Sequence, residues 1–370
     1  MKKDSLAHQF VTFFPILSAF LAIFTLMNYY VLSTHYIFFG LEKTNLFFLL
    51  LFLFSASFLI SSIAELIGNN ILFRTMYILS SVLMGTLFIS FFITLFYDLL
   101  EFILPFDEVI FGILSIFTIT ILAIYSITVN YRICVKTVPI HNNKNVEMRI
   151  VQITDIHLGP IYGESWLKAI VKKVNTLNPD LVLMTGDLLD GRYKYKADLL
   201  KPLDDIKSDV YFVYGNHDAY AGLDRLEKLL SQTKIRWLRN ESVQYENIDI
   251  IGFDDTSEER HVGGMLYAMN MHKKIGDRFT ILMTHRPVGW REAAKYVDLM
   301  IAGHTHAGQL WPFNYLALWQ NTACKGIYRC NTNNRFMLYV SCGTGTWGPP
   351  MRLGSSTEIT VFDLKRENYK

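Results

Sequence analysis

Four long stretches of this 370-residue chain contain no Asp, Glu, Lys or Arg: residues 5–41, 44–64, 75–97 and 109–131. A soluble enzyme does not leave so much of itself without charge. Cysteine is also scarce, with only Cys134, Cys324, Cys330 and Cys342. Five residues separate Cys324 from Cys330, which is not a usual zinc spacing, and the expectation is four free thiols. No basic run is long enough to suggest nucleic acid as a partner. What is abundant is apolar: hydrophobic residues make up 51% and aromatics 14%, and the mean hydropathy is +0.24.

Each uncharged run can supply the roughly 20 apolar residues that cross a bilayer as a helix. The expected spans are 11–34, 45–66, 75–97 and 109–131, with Pro15 near the start of the first. Four such runs in succession argue against buried core helices. No small-residue cleavage pattern follows the first run, which argues against a cleaved signal peptide. The flanking bases Lys2, Lys3, Arg74, Arg132, Lys136, Lys144 and Arg149 place both chain ends on the cytoplasmic side. Lys43 disagrees mildly. The connection between spans three and four carries Asp98, Glu101, Asp107 and Glu108 and no base. Glu65 is expected at the interface, near the end of span two. The domain division expected is 1–131 for the transmembrane helices, 132–148 for a linker and 149–370 for a soluble domain. The part from residue 132 onward holds 31 Lys plus Arg and 26 Asp plus Glu, a modest basic excess suited to an anionic leaflet.

After residue 148 the pattern changes to alternating strands and helices. Strands are expected at 148–154, 181–185, 210–214, 248–253, 279–284, 299–302, 336–341 and 358–364. Helices are expected at 166–177, 223–231 and 290–296. Five polar motifs sit where strands stop: Asp155-Ile156-His157, Gly186-Asp187-Leu188-Leu189-Asp190, Gly215-Asn216-His217-Asp218, Thr284-His285-Arg286-Pro287 and Gly303-His304-Thr305-His306. In layered α/β domains ligands gather at the carboxyl ends of strands. Together the motifs offer Asp, His and Asn side chains. That mixture suits a pair of divalent ions such as Mn²⁺, Fe²⁺ or Zn²⁺, which activate water for in-line attack on phosphorus.

In their order these motifs resemble the calcineurin-like metallophosphoesterase superfamily, over about residues 149–364. The resemblance implies an α/β/β/α sandwich, two sheets face to face with helices outside, following the four transmembrane helices. It implies one metal site on Asp155, His157 and His306 and a second on Asn216, His285 and His304, with Asp187 bridging. His217 is then a catalytic group that stabilises the transition state or protonates the leaving oxygen, with Asp218 orienting it. Asp190 would support the same loop. Every expected ligand position is filled, which argues for an active metal-dependent hydrolase over a noncatalytic scaffold.

The substrate is less legible. The segments 303–309, 343–348 and 351–354 resemble a membrane-associated bacterial subgroup. Some members of the superfamily hydrolyse UDP-2,3-diacylglucosamine, in lipid A synthesis, to UMP and 2,3-diacylglucosamine 1-phosphate. That implies a multi-pass protein of the bacterial inner membrane with its catalytic domain in the cytoplasm, acting on a lipid-linked or nucleotide-linked phosphoester. Arg352 is a candidate phosphate contact through its planar donors. Residues 263–269 and 311–319 are either acyl-chain contacts or ordinary core. A signalling phosphodiesterase, a protein phosphatase with a membrane sensor, and a hydrolase of another phospholipid or a polyprenyl diphosphate are the alternatives.

Overall fold

The computed structural model describes residues 2–68, 70–101, 103–104, 107–191, 193–255, 278–331 and 333–367. The insert-like segment 263–269 lies outside them. The chain divides into two compact units, Met1–Tyr125 and Ser126–Lys370.

The first unit is helical: α1 (Lys2–Phe38), α2 (Asn45–Ile67), α3 (Ile71–Glu101) and most of α4 (Glu108–Tyr131). All four are long and apolar enough to cross a membrane. The helices α1 and α3 outrun the expected spans at both ends. Pro15 therefore falls inside α1 and not near its start. Large side chains such as Ile23, Leu26, Leu72 and Phe117 are 60% exposed or more, a surface that suits lipid and not water. Polar groups turn inward and pair between helices, as they must where no water competes. Asn28 donates to Ser55 Oγ at 3.2 Å, and Ser61 and Ser80 hydroxyls meet at 2.6 Å. The hydroxyl of Tyr30 donates to Asp98 at 2.6 Å, and His35 Nε2 lies 2.6 Å from Ser115 Oγ. Glu65, in the last turn of α2, is buried, and neither carboxylate oxygen has a hydrogen-bond partner.

The second unit is a sandwich of two six-stranded sheets. The first contains β1 (Ile133–Asn142), β2 (Met148–Ile153), β3 (Leu181–Thr185), β4 (Asp209–Val213), β5 (Arg236–Trp237) and β12 (Thr357–Arg366), in the order β1-β12-β2-β3-β4-β5. The second contains β6 (Glu241–Tyr245), β7 (Ile248–Gly252), β8 (Phe279–Met283), β9 (Leu299–Ala302), β10 (Gly326–Cys330) and β11 (Asn333–Val340), in the order β10-β11-β9-β8-β7-β6. Strand periodicity of two explains the layers. Leu181 and Leu183 of β3 and Leu299 and Ile301 of β9 meet in the core between the sheets. Their neighbours Val182 and Met184 face α5 (Glu164–Thr176) and α7 (Leu223–Leu230). On the other side, Met300 and Ala302 pack with Trp290 and Ala293 of the short helix α8 (Trp290–Ala293). The result is an α/β/β/α sandwich, as expected.

One expectation fails here. The stretch 132–148, read as a linker, contains β1, which pairs in parallel with β12 from Ile133↔Thr357 to Asn142↔Arg366. An edge strand needs only one paired side, so Pro139, which cannot donate a hydrogen bond, is tolerated there.

The topology positions the site. Strands β2, β3 and β4 are adjacent and parallel, and so are β7, β8 and β9. Their carboxyl ends therefore open along one edge of each sheet, where the loops carrying the polar motifs emerge.

Candidate metal centre

The loop after β2 carries Asp155 and His157, and the loop after β3 carries Asp187. The short helix α6 (Asn216–Ala221), which begins two residues past β4, carries Asn216 and His217. His285 follows β8, and His304 and His306 follow β9. Asp155, His157, Asp187, His304 and His306 all have left-handed backbone angles, with φ between 49° and 73°. Such a conformation costs a non-glycine residue about 1–3 kcal/mol and persists where the surroundings impose it. The loops are also crowded. A Cβ at Gly303 would lie 2.2 Å from Asp155 Oδ2, so the chain can turn there only without a side chain.

The structure brings the expected ligands together. The potential ligand atoms of Asp155, His157 and His306 lie within 4.8 Å of one another, as do those of Asp187, His285 and His304. Asp187 stands between the groups, its Oδ2 3.7 Å from His157 Nε2 and 3.2 Å from His285 Nε2. His306 Nε2 is 3.1 Å from His157 Nε2 and 3.4 Å from Asp155 Oδ1. His304 Nδ1 is 3.2 Å from His285 Nε2. Paired imidazole nitrogens thus converge on buried carboxylates from both sides. Asn216 Oδ1 is buried with no hydrogen-bond partner. A buried acceptor without a donor is costly, and a cation would satisfy it.

Other groups fix the geometry. The Asp155 carboxylate accepts from the Thr154 hydroxyl at 2.8 Å and from the His304 amide at 3.0 Å. His285 Nδ1 faces the Thr185 carbonyl at 2.9 Å, which leaves Nε2 for the site. The electrostatics suit a cation. Burial works to lower the His285 pKa, but the Asp187 carboxylate outweighs it and lifts the imidazole to about 10. Burial raises the Asp187 carboxyl, yet His285 and His157 hold it well below the usual range. Burial, with His285 beside it, pushes His304 down to about 3.

Two expected roles need correction. Asp218 does not orient His217. Its carboxylate turns back to its own helix and accepts from the amides of Gly215 at 3.0 Å and Leu189 at 2.8 Å, capping α6 and tying it to the Asp187 loop. Asp190 takes the orienting position instead. Its Oδ1 is 3.5 Å from the Nδ1 atoms of both His217 and His157. The signal for this in the sequence was only that Asp190 ends the same motif as Asp187. Arg352 is not open to a phosphate. It is completely buried and donates to the carbonyls of Cys342 and Gly345 at 2.6 Å each and of His306 at 3.3 Å. It is a strut under the ligand loops. Arg352→Ala should strip the donors from those buried carbonyls and cost roughly 3–5 kcal/mol. Thermal unfolding of the full chain checks this; an unchanged Tm would show that these bonds do not hold the loops.

His217 lies at the mouth of the centre. Its amide donates to Asp187 Oδ1 at 2.8 Å, and its ring packs against His157 at 4.8 Å, Tyr220 at 5.4 Å and Trp347 at 5.7 Å between centroids. Neither Tyr220 nor Trp347 was expected there, since neither belongs to a ligand motif in the sequence.

The family model described as calcineurin-like phosphoesterase matches residues 148–308. A Danio rerio protein described as a transmembrane protein with metallophosphoesterase domain is 36% identical over 236 residues, 59% of this chain and 53% of that protein. A metallophosphoesterase of Helicobacter pylori is 32% identical over 240 residues, 63% of this chain and 64% of that protein. A metallophosphoesterase of Campylobacter jejuni is 30% identical over 342 residues, 86% of this chain and 88% of that protein. With this span of similarity and a converging Asp/His centre, the chain belongs to the calcineurin-like metallophosphoesterase family of metal-dependent phosphoester hydrolases.

Proposed function

We propose that the centre holds two divalent cations and hydrolyses a membrane-associated phosphodiester or pyrophosphate. Asp155, His157 and His306 would hold one ion, and Asn216, His285 and His304 the other, with Asp187 shared. The observation that carries this is the position of Asp187 Oδ2 between His157 and His285. A shared carboxylate offsets the repulsion of two close dications. When bound, such a pair supplies Lewis acidity that activates water and neutralises phosphoryl charge. The mixed oxygen and nitrogen donors suit Mn²⁺, with Fe²⁺ or Zn²⁺ also accommodated.

The protein's own groups do the rest. Asp190, whose Oδ1 faces the Nδ1 atoms of His157 and His217, would bias the orientation of both rings. His217, partly open to solvent, gives its proton to the leaving oxygen. The ligand loops are held from beneath by Arg352. The apolar helices keep the centre at a bilayer, and the distribution of Lys and Arg favours the cytoplasmic face of a bacterial inner membrane.

UDP-2,3-diacylglucosamine is the first substrate to test. Full-length protein with Mn²⁺ should release UMP, seen by phosphorus NMR, and chelation should stop it. A cyclic nucleotide and a phosphopeptide run beside it. Turnover confined to those two soluble compounds would overturn the lipid assignment in favour of a signalling enzyme.

A further inference from the structure

Between Asp298 and Lys325 the chain has no Asp, Glu, Lys or Arg. This segment runs through the buried strand β9 and the last ligand loop into helix α9 (Phe313–Gln320). The helix has no buried residue. Tyr315, Leu316, Leu318 and Trp319 are 44–82% exposed, and Trp311, just before the helix, is 48% exposed. Nor is the helix loosely attached. A Cβ at Gly308 would lie 2.3 Å from the Asn314 backbone, so α9 is packed against the loop that carries His306. A fixed apolar ridge facing outward is costly in water and marks a surface with a partner.

The partner is indicated by what surrounds the ridge. The last turn of α4, within the Ser126–Lys370 unit, is bonded to the same loops. Arg352 N donates to the Ser126 carbonyl at 2.9 Å, and Asn130 meets the Tyr162 and Thr346 hydroxyls at 2.7 and 3.2 Å. Trp311 N donates to the carbonyl of Leu353, the neighbour of Arg352. Trp347, 59% exposed, follows Thr346. Trp347 is thus one residue, and Trp311 one backbone bond and one residue, from the groups that grip the end of an apolar helix long enough to span a bilayer. Trp and Tyr at that depth form the aromatic belt of a membrane interface. Lys325, exposed at the margin, suits anionic headgroups. Trp347 also touches the His217 ring, so the ridge runs to the mouth of the metal centre.

We propose that Trp311, Trp347 and the outer face of α9 dock into the lipid bilayer and present the metal centre to phosphoesters held in the leaflet. The ridge is a membrane-binding surface in its own right. Delivery of an amphiphilic substrate through it rests on the function proposed above.

All six tryptophans lie between residues 166 and 347, so their emission reports on the second unit alone. Full-length protein in phosphatidylcholine vesicles should lose tryptophan emission when the acyl chains are brominated. The W311F/W319F variant should lose about half of that quenching or more. Unchanged quenching in the variant overturns the docking. Leu316→Glu should slow turnover of a long-chain phosphoester in vesicles about tenfold and leave bis(p-nitrophenyl) phosphate hydrolysis intact. An equal loss on both esters, or a change of oligomeric state with quenching retained, overturns it in favour of a structural role or a second copy of the chain. No hydrolysis of either ester by the unmodified protein overturns the proposed function, while the quenching still decides the docking.

Discussion

Asp187→Asn should lower kcat/KM by about three orders of magnitude and leave the protein folded. The substitution keeps the shape of the side chain and one carbonyl oxygen, so the bond from the His217 amide to Oδ1 can persist. What it removes is the negative charge between His157 and His285. Two dications about 4 Å apart repel strongly, and their interaction grows as the local dielectric falls. With Asp187 as the bridge proposed above, its loss would release one ion or weaken the binding of both. The measurement pairs initial rates with elemental analysis of the same sample. The expected result is less than two equivalents of metal and little turnover. Two tightly held ions with near-normal turnover would show that Asp187 is not the bridge.

His217→Ala separates chemistry from metal binding. If His217 protonates the leaving oxygen, its removal costs about 10²–10³ in kcat, and metal content stays at two. The loss depends on the leaving group. A nitrophenolate needs no proton, so a nitrophenyl ester should lose far less than an alkyl ester. Asp190 faces the His217 Nδ1, so Asp190→Asn should reproduce part of the effect. Loss of one ion in His217→Ala would make His217 a ligand instead, a role its proximity to His157 and Asp187 permits.

The motifs were legible because each interrupts an apolar strand, and buried strands ending in Asp or His have few bland explanations. Parallel neighbours β2, β3 and β4 then bring their loops together without further information. The partners within those loops were not legible. Asp218 adjoins His217 in sequence, yet its place in the first turn of α6 directs its carboxylate to backbone amides. Arg352 looked like a phosphate ligand because nothing in the chain announces that carbonyls of residues 306, 342 and 345 converge around it. The edge strand β1 was missed because its pairing partner β12 lies more than 200 residues away and Pro139 reads as a break. For α9 the pattern was apolar whether core or interface, and only its exposure rules out core.

The central claim is that Asp155, His157, Asp187, Asn216, His285, His304 and His306 grip two cations at once. Elemental analysis of purified, full-length, active protein tests it most directly. Two divalent ions per chain, both lost on chelation together with activity and both restored on adding Mn²⁺, is the result expected. Full activity with one ion or none would contradict the account.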